Sequence, residues 1–376
     1  MKSQDLRPRV GLIVSTLGAG GAERSVVGLA TGLQKRGYDT TVMTFSTASG
    51  DFYRLPETVN RVELDLMAKS GNPIAAVKNN IRRIQVIRQS IKRLHLDVVI
   101  SFMDATNVLT LLAAYGLTCR VLVSERIDPA HHQVGHVWAA LRRFVYRHAD
   151  EIVVQTSQVA SWIRRNTSAR SVRLIPNFLS QPAGAPLAPR PLEERPATII
   201  AAGRLHRQKG FDLLLQAFSL IKTKPELDHW TLQIYGDGKE RDNLLQQIKE
   251  LKLEKSVTLM GISERLVDAM LAGRVFVLSS RNEGFPNVLL EAMSAGCAVC
   301  GFREVSGVSD LIQHGQNGLL VDKMDAQSLA NSIYTLCNDT VVSHSLAVAA
   351  HRVSQNYLDE TIMPAWIDAV HGKSTG

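Results

Sequence analysis

Cysteine is scarce in this chain. Four residues, Cys119, Cys297, Cys300 and Cys337, are spread over a length of 376, too few for a disulfide framework, and three of them lie in apolar segments. A reducing cytosol is the expected setting. Cys297-Ala-Val-Cys300 has CxxC spacing, but no second pair or matching histidine cluster completes a zinc site. Both read as core residues of a buried strand rather than as metal or redox groups. Aromatic residues make up only 6%; with so few, and no recognition module visible, nucleic acid is not an expected partner. Long hydrophobic runs are missing as well. No stretch approaches the roughly 18 apolar residues of a membrane span, so any membrane contact is expected to be peripheral. The early run VGLIVSTL is interrupted by Ser15 and Thr16 and meets no small-residue cleavage site before GAGGAER. It is expected to be a first β-strand and not a signal peptide.

What is present is the composition of a soluble globular protein, 45% apolar and 21% charged, which excludes fibrous and unfolded classes. At roughly 100 to 200 residues per domain, the length predicts two or three domains. The net charge of +8 is unevenly shared. Residues 1–180 hold 24 Lys/Arg against 13 Asp/Glu, a net of +11, and the remainder holds 19 against 22, a net of −3. The basic excess therefore belongs to the first half.

Short apolar runs alternate with longer amphipathic segments. RVGLIVST, TTVMTF, DVVISF, RVLVSE, EIVVQT and VRLIPN read as strands of one parallel sheet, with helices expected at 22–36, 74–94 and near 107–116. ATIIAAG, WTLQIYGDG, SVTLMG, RVFVLSS, CAVCGF and NGLLV repeat the pattern. The expected fold class is α/β, with two doubly wound Rossmann-like domains whose binding crevices lie at the carboxyl ends of their strands. The expected division is an N-terminal domain over 1–178, a proline-rich linker over 179–196, a C-terminal domain over 197–355, and a terminal helix in 356–376 that returns to the first domain.

Three segments carry chemistry. In TLGAGGAER, residues 16–24, Gly18, Gly20 and Gly21 precede a helix whose N-terminus offers N–H groups to an anion. The segment is not a dinucleotide fingerprint, since Glu23 stands where the third small residue belongs; a ligand-contact loop and a tight turn are both open. Gly203-Arg204 end a strand and Lys209-Gly210 open a helix, which suits a diphosphate, against the alternative of two solvated loop cations. In LSSRNEGFPNVLLEAMSAG, residues 278–296, Glu283 and Glu291 bracket a helix start at Pro286, with N–H groups expected at Phe285, Asn287 and Val288. Carboxylates accept from sugar hydroxyls and N–H groups bind phosphates, so this stretch offers both, unless Glu283 caps the helix and Glu291 is a surface residue.

Through GGAER at 20–24, GRLHRQKG at 203–210, YGDG at 235–238 and above all EGFPNVLLE at 283–291, with its E-x7-E spacing, the chain resembles the retaining GT-B-fold glycosyltransferases of family GT4. ISFMDATN at 100–107 and SERIDP at 124–129 look like members that extend polyprenyl-diphosphate-linked oligosaccharides, notably bacterial N-acetylgalactosaminyltransferases. The resemblance implies the GT-B arrangement, two Rossmann-like domains facing a central cleft. It also implies a UDP-sugar donor, an undecaprenyl-diphosphate-linked acceptor and no cofactor, in capsule, O-antigen or related polysaccharide assembly. Glu283, Arg204 and Lys209 would be catalytic, the last two neutralising the nucleotide diphosphate. Glu291 would bind ribose hydroxyls, and Gly203, Gly236, Gly284, Phe285, Pro286 and Asn287 would line the donor site, which Gly20 and Gly21 would face from the other domain.

No metal is expected, because Glu63-Leu-Asp65 is a poor imitation of an Asp-x-Asp pair, and Arg204 and Lys209 would stabilise the leaving group. With no convincing carboxylate nucleophile, front-face attack assisted by the leaving phosphate is the expected retaining mechanism. Many relatives place a histidine near the donor sugar where this chain has Ser124-Glu125-Arg126; Arg126, or His131 and His132, would take that place. Asp104 and Asn107 are candidates to orient the acceptor hydroxyl, weighed against helix capping, and Glu125 and Arg126 join them as acceptor residues. The helix around 74–94 sets Lys78, Arg82, Arg83, Arg88, Lys92 and Arg93 against an apolar stripe of Val77, Ile81, Ile84, Ile87 and Ile91, with Arg142, Arg143 and Arg147 as a second cluster. Arg82, Arg83 and Arg88 are expected at the acceptor diphosphate and the helix at an anionic membrane, unless it simply covers the sheet. The expected location is cytoplasmic, peripheral on the inner face of the membrane. A nonhydrolysing UDP-sugar epimerase and a catalytically silent nucleotide-sugar-binding protein are the alternative functions.

Overall fold

A computed structural model describes residues 7–18, 20–68, 71–131, 134–179 and 190–373. The chain divides into two compact units, one of Met1–Ser180 with Asp359–Gly376 and one of Gln181–Leu358. Most of the expected linker lies outside the described residues; within its described end, Leu192–Glu194 form a single 3-10 turn.

The first unit runs β1 (Val10–Val14), α1 (Gly21–Lys35), β2 (Thr40–Thr44), β3 (Asn60–Glu63), α2 (Pro73–Arg93), β4 (Val98–Phe102), α3 (Asp104–Ala114), β5 (Arg120–Ser124), α4 (His136–Val145), β6 (Glu151–Val154), α5 (Ser157–Asn166) and β7 (Val172–Leu174). Its strands pair in parallel in the order β3-β2-β1-β4-β5-β6-β7. Central strands such as VGLIV in β1 are buried at every position, which is why they read as unbroken apolar runs. Alternate side chains serve opposite faces: Val10, Leu12 and Val14 join one core and Ile13 the other. β3 sits at the sheet edge with a half-exposed pattern, so no apolar run marked it in the sequence.

The second unit runs β8 (Thr198–Ala202), α6 (Phe211–Ile221), β9 (Thr231–Tyr235), α7 (Arg241–Glu250), β10 (Val257–Gly261), α8 (Leu266–Ala272), β11 (Val275–Leu278), α9 (Asn287–Ser294), β12 (Ala298–Phe302), α10 (Val308–Leu311), β13 (Leu319–Val321), α11 (Ala326–Asn338) and α12 (Thr340–Ser354). Its parallel order is β10-β9-β8-β11-β12-β13. Cys300 lies within β12 and Cys297 just before it; burial pushes both thiols up to about 12, which keeps them protonated and unreactive.

The last helix, α13 (Asp359–His371), belongs to the first unit. Ile362, Met363, Trp366 and Ala369 enter the core beside α1. Arg36 Nη1 pairs with Asp359 Oδ2 at 3.0 Å, the Tyr38 hydroxyl meets His371 Nε2 at 2.8 Å, and Arg120 Nε donates to the Ala369 carbonyl at 2.9 Å. Helix α2 is anchored differently. Asn72 caps it by accepting from the Ala75 N–H at 2.8 Å, with Pro73 in the first turn, but its fully buried residues, Ile87, Ser90 and Ile91, all lie near its C-terminal end. Ile74, Val77 and Ile81 are 83%, 60% and 50% exposed. The stripe therefore splits: Ile87 and Ile91 are buried with Ile84 packed against them, as in a helix covering the sheet, while its N-terminal end is left uncovered.

Both sheets reverse their strand order at one place, beside β1 between β2 and β4 and beside β8 between β9 and β11. In open parallel sheets the two strands at such a point send their following loops to opposite faces, and the crevice left outside their carboxyl ends takes the ligand. In the second unit the two loops in question carry residues 203–210 and 279–286.

Candidate active site

The second unit brings Lys209 and Glu283 together. β8 ends at Ala202, and Gly203 follows in a conformation that lets the methylene chain of Lys209 lie against it, with Lys209 Cε 3.1 Å from where a Cβ would stand. Lys209 closes a 3-10 turn (Arg207–Lys209), and its Nζ donates to Glu283 Oε1 at 2.7 Å. The same carboxylate oxygen accepts from the Ser280 hydroxyl at 2.6 Å, which fixes its rotamer. Glu283 is therefore held in the β11–α9 loop, five residues beyond the strand end, and does not cap the helix.

The backbones here approach unusually closely. Gly210, at φ +63°, lies against the Ser279 carbonyl oxygen, and Gly236, at φ +132°, lies against the Gly203 carbonyl; a Cβ at either position would collide with that oxygen. Ser279 Oγ donates to the Lys209 carbonyl at 2.8 Å, so the loops after β8, β9 and β11 form one packed edge. Arg204 is exposed beside them, and among the described residues no hydrogen bond or ion pair holds it. Pro286 precedes the first turn of α9, with Glu291 half-buried one turn on and Phe285 buried with its ring 6.4 Å from that of Tyr357. The Asn287 N–H, expected to be open to a ligand, instead donates to the Phe285 carbonyl at 2.9 Å, because the chain turns tightly there. Gly284 is half-buried in this turn. Among the described residues, no group of three or more His, Cys, Asp or Glu side chains is placed to hold a metal ion.

The first unit has its own polar cluster at the carboxyl ends of β4, β5, β6 and β7. Glu125 accepts from the Tyr146 hydroxyl, and Arg142 Nη1 stands 3.9 Å away. Burial is the dominant effect on Glu125 and, outweighing Arg142 and Tyr146, raises its pKa from 4.5 to about 7. Arg126 stacks on Phe102 and Trp366, at 5.0 and 5.6 Å from the ring centroids, and donates to Asn177 Oδ1 at 2.6 Å; burial lowers it to about 9. Gln155 and Ser25 also reach Asn177. At α1, Gly20 is the cap residue with extended backbone, and the Glu23 carboxylate folds back over it while accepting from Thr16 Oγ1 at 3.2 Å. Gly21 opens the helix, so an acid of the chain itself already occupies that N-terminus.

Comparison with known proteins bears on the family and the fold. Residues 188–353 match the family described as glycosyl transferases group 1, and residues 20–177 match the glycosyl transferase 4-like domain. This chain belongs to the GT4-type, group 1 glycosyltransferases. An uncharacterized glycosyltransferase of Haemophilus influenzae is 25% identical over 364 residues, 95% of this chain and 98% of that one. The Campylobacter jejuni GalNAc-alpha-(1->4)-GalNAc-alpha-(1->3)-diNAcBac-PP-undecaprenol alpha-1,4-N-acetyl-D-galactosaminyltransferase is 25% identical over 362 residues, 96% of this chain and 98% of that one. Among solved structures, Anabaena HepE in complex with UDP superposes with a TM-score of 0.78 at 18% identity, over 97% of this chain and 100% of that one. Its GT-B architecture is that of the two Rossmann-like units described above.

For this glycosyltransferase, several expected acceptor residues turn inward. Asn107 is fully buried, taking a hydrogen bond from Ser101 at 2.8 Å and donating to the Ser124 carbonyl at 3.1 Å and to Tyr146 at 3.3 Å. Glu125 is 3% exposed and Arg126 8%, and both are engaged as above, so neither is presented to an acceptor. Arg83 donates to the Leu66 carbonyl at 3.1 and 3.0 Å, and Arg88 to the carbonyls of Ala113 and Tyr115 at 2.8 and 2.7 Å. Those two guanidiniums satisfy backbone carbonyls of a loop and of the α3 C-terminus, which a charge count cannot distinguish from a ligand role. Arg82 remains exposed. Asp104 opens α3, its Oδ1 accepting from the Ala105 N–H at 2.7 Å, directly after Met103 at φ +76°. His131 is held by Asp128 at 2.9 Å, and His132 lies outside the described residues.

Sequence reasoning passed over Tyr146, Asn177, Ser280 and Arg281. Ser280 and Arg281 had a visible signal, their place in the 278–296 stretch just ahead of Glu283; Tyr146 and Asn177 had none.

Glu125 makes the first unit sensitive to pH. Its carboxyl is neutral in both folded and unfolded chains below about pH 4.5, and above that the unfolded chain ionises first, so its contribution to stability is lost as pH rises through about 7. Glu125→Gln keeps an acceptor for Tyr146 and cannot ionise. In urea unfolding, the Gln variant should gain on the unsubstituted chain between pH 4.5 and 7, by up to about 1.4 kcal/mol per pH unit; a stability difference independent of pH would contradict this.

Proposed function

We propose that this glycosyltransferase moves a hexose or N-acetylhexosamine, with retention, from a UDP-sugar to a polyprenyl-diphosphate-linked glycan in bacterial surface-polysaccharide assembly. The carrying observation is the Lys209–Glu283 pair, fixed by Ser280 and Gly210 at the strand-order reversal of the second unit, with the exposed Arg204 beside it. The HepE complex supports UDP as the nucleotide, and the Campylobacter relative supports an N-acetylhexosamine and a lipid diphosphate.

In this reading, Arg204 and Lys209 neutralise the diphosphate as the anomeric C–O bond breaks, so their attraction is greatest where charge is greatest. No resident metal is required for that neutralisation. Glu283 accepts from a hydroxyl of the donor sugar and Glu291 from the ribose hydroxyls. The acceptor hydroxyl attacks from the face the diphosphate is leaving; its oxygen bonds to the anomeric carbon and its proton passes to a departing phosphate oxygen. The first unit takes the acceptor. Among the described residues no helix is long and apolar enough to cross a membrane, and the exposed Ile74, Val77 and Ile81 of α2, flanked by the exposed Lys78 and Arg82, suit peripheral contact with an anionic bilayer on its cytoplasmic face.

A screen of UDP-sugars against extracted lipid-linked oligosaccharides, read by mass spectrometry, should yield an elongated lipid-linked glycan and UDP. Turnover with a soluble phosphosugar acceptor in its place would contradict the assignment. Lys209→Ala should lower kcat by roughly 10²- to 10³-fold, as for the loss of one stabilising donor at a developing anion. Binding to phosphatidylglycerol-containing vesicles should fall in the triple variant Ile74→Ser, Val77→Ser, Ile81→Ser with UDP affinity unchanged; equal sedimentation with vesicles would refute the α2 contact.

A further inference from the structure

Arg281 lies in the loop that carries Glu283, yet its side chain serves the loop that carries Lys209. Its Nη1 and Nη2 make a bidentate pair with Asp212 Oδ1 and Oδ2, both at 2.7 Å, and Nη1 also donates to the Arg207 carbonyl at 2.7 Å. Its backbone N–H donates to the Gln208 carbonyl at 2.7 Å, and Gln208 Nε2 returns a bond to the Asn282 carbonyl at 2.9 Å. Asp212 is in the first turn of α6, immediately after Gly210 and Phe211, so the guanidinium ties both ends of the turn that presents Lys209. Burial alone would raise the Asp212 carboxyl, but hydrogen bonding and charge from Arg281, with backbone N–H groups, hold it below its ordinary range.

We infer that Arg281 is a positioning residue of the donor site, clamping residues 207–212 onto the 279–283 loop so that Lys209 Nζ and Glu283 are fixed before a nucleotide diphosphate arrives. The inference rests on the reading of Lys209 as a diphosphate contact. Three acceptor oxygens, two of them coplanar on one carboxylate, require a forked planar donor, which a lysine ammonium does not supply. The pair is about a third exposed, with side chains 26% and 42% accessible. Its stabilising effect on the whole fold is accordingly small, while its geometric effect on one loop is direct.

The test is a double-mutant cycle on UDP binding, by calorimetry on the full chain, with Arg281→Ala, Lys209→Ala and their combination, and with thermal unfolding recorded for each. Arg281→Ala should weaken UDP about tenfold in the otherwise intact chain and by less than about twofold once Lys209 is absent, since a residue acting through another shows non-additivity of this kind. Arg281→Lys should recover only part of the affinity. Asp212→Asn, which breaks the same pair with a smaller change, should reproduce the non-additivity if Arg281→Ala folds poorly. Additive effects, or a lowered melting temperature with unchanged UDP affinity, would overturn the clamp and leave the site standing. Unchanged UDP affinity in Lys209→Ala would overturn the site reading, and the clamp with it.

Discussion

Gly210 and Gly236 let three strand-end loops of the second unit approach more closely than any side chain would permit, and the rest of the geometry around Lys209 and Glu283 follows from that approach. With the loops packed, Lys209 crosses Gly203 and meets Glu283, Ser280 holds the shared carboxylate oxygen, and Ser279 fixes the turn from beneath. The loops belong to β8, β9 and β11, the strands around the reversal of sheet order. A cation and a carboxylate brought together there are already oriented, so little reorganisation is required when a charged ligand arrives.

How far this was legible in the sequence depends on the range of the interaction. Parallel strands buried on both faces must be apolar throughout, so β1, β4, β8 and β11 stood out, whereas the half-exposed edge strand β3 did not. Arg204, Lys209, Glu283 and Glu291 could be singled out because charged residues next to glycine and a helix start have few other reasons to occupy a strand-end loop. Their partners were harder. That Glu125 meets Tyr146 and Arg126 meets Asn177 depends on residues 21 and 51 positions away, set by the packing of separate β-α repeats. The same composition, SERIDP, would serve an exposed loop equally well. Asn107 shows the limit most plainly: a polar residue in the first turn of a helix looks like a ligand contact until tertiary packing buries it against Ser101, Ser124 and Tyr146.

The basic half changes character in the same way. A charge of +11 over residues 1–180 suggested a row of cations along one amphipathic helix. Arg83 and Arg88 instead satisfy backbone carbonyls, leaving Lys78 and Arg82 beside apolar side chains that nothing in the unit covers. Fewer of the helix's cations are available than the count implied, and Lys78 and Arg82 stand where exposed isoleucine and valine accompany them. The proposed bilayer contact rests on that combination.

The central claim is that the loops after β8 and β11 form the nucleotide-sugar site. Hydrogen–deuterium exchange of the full chain with and without saturating UDP tests it most directly. Residues 203–210 and 283–291 should gain protection on UDP addition, while peptides at the amino ends of the second unit's strands should be unchanged. Protection confined to other segments, with 203–210 and 283–291 exchanging as before, would contradict it.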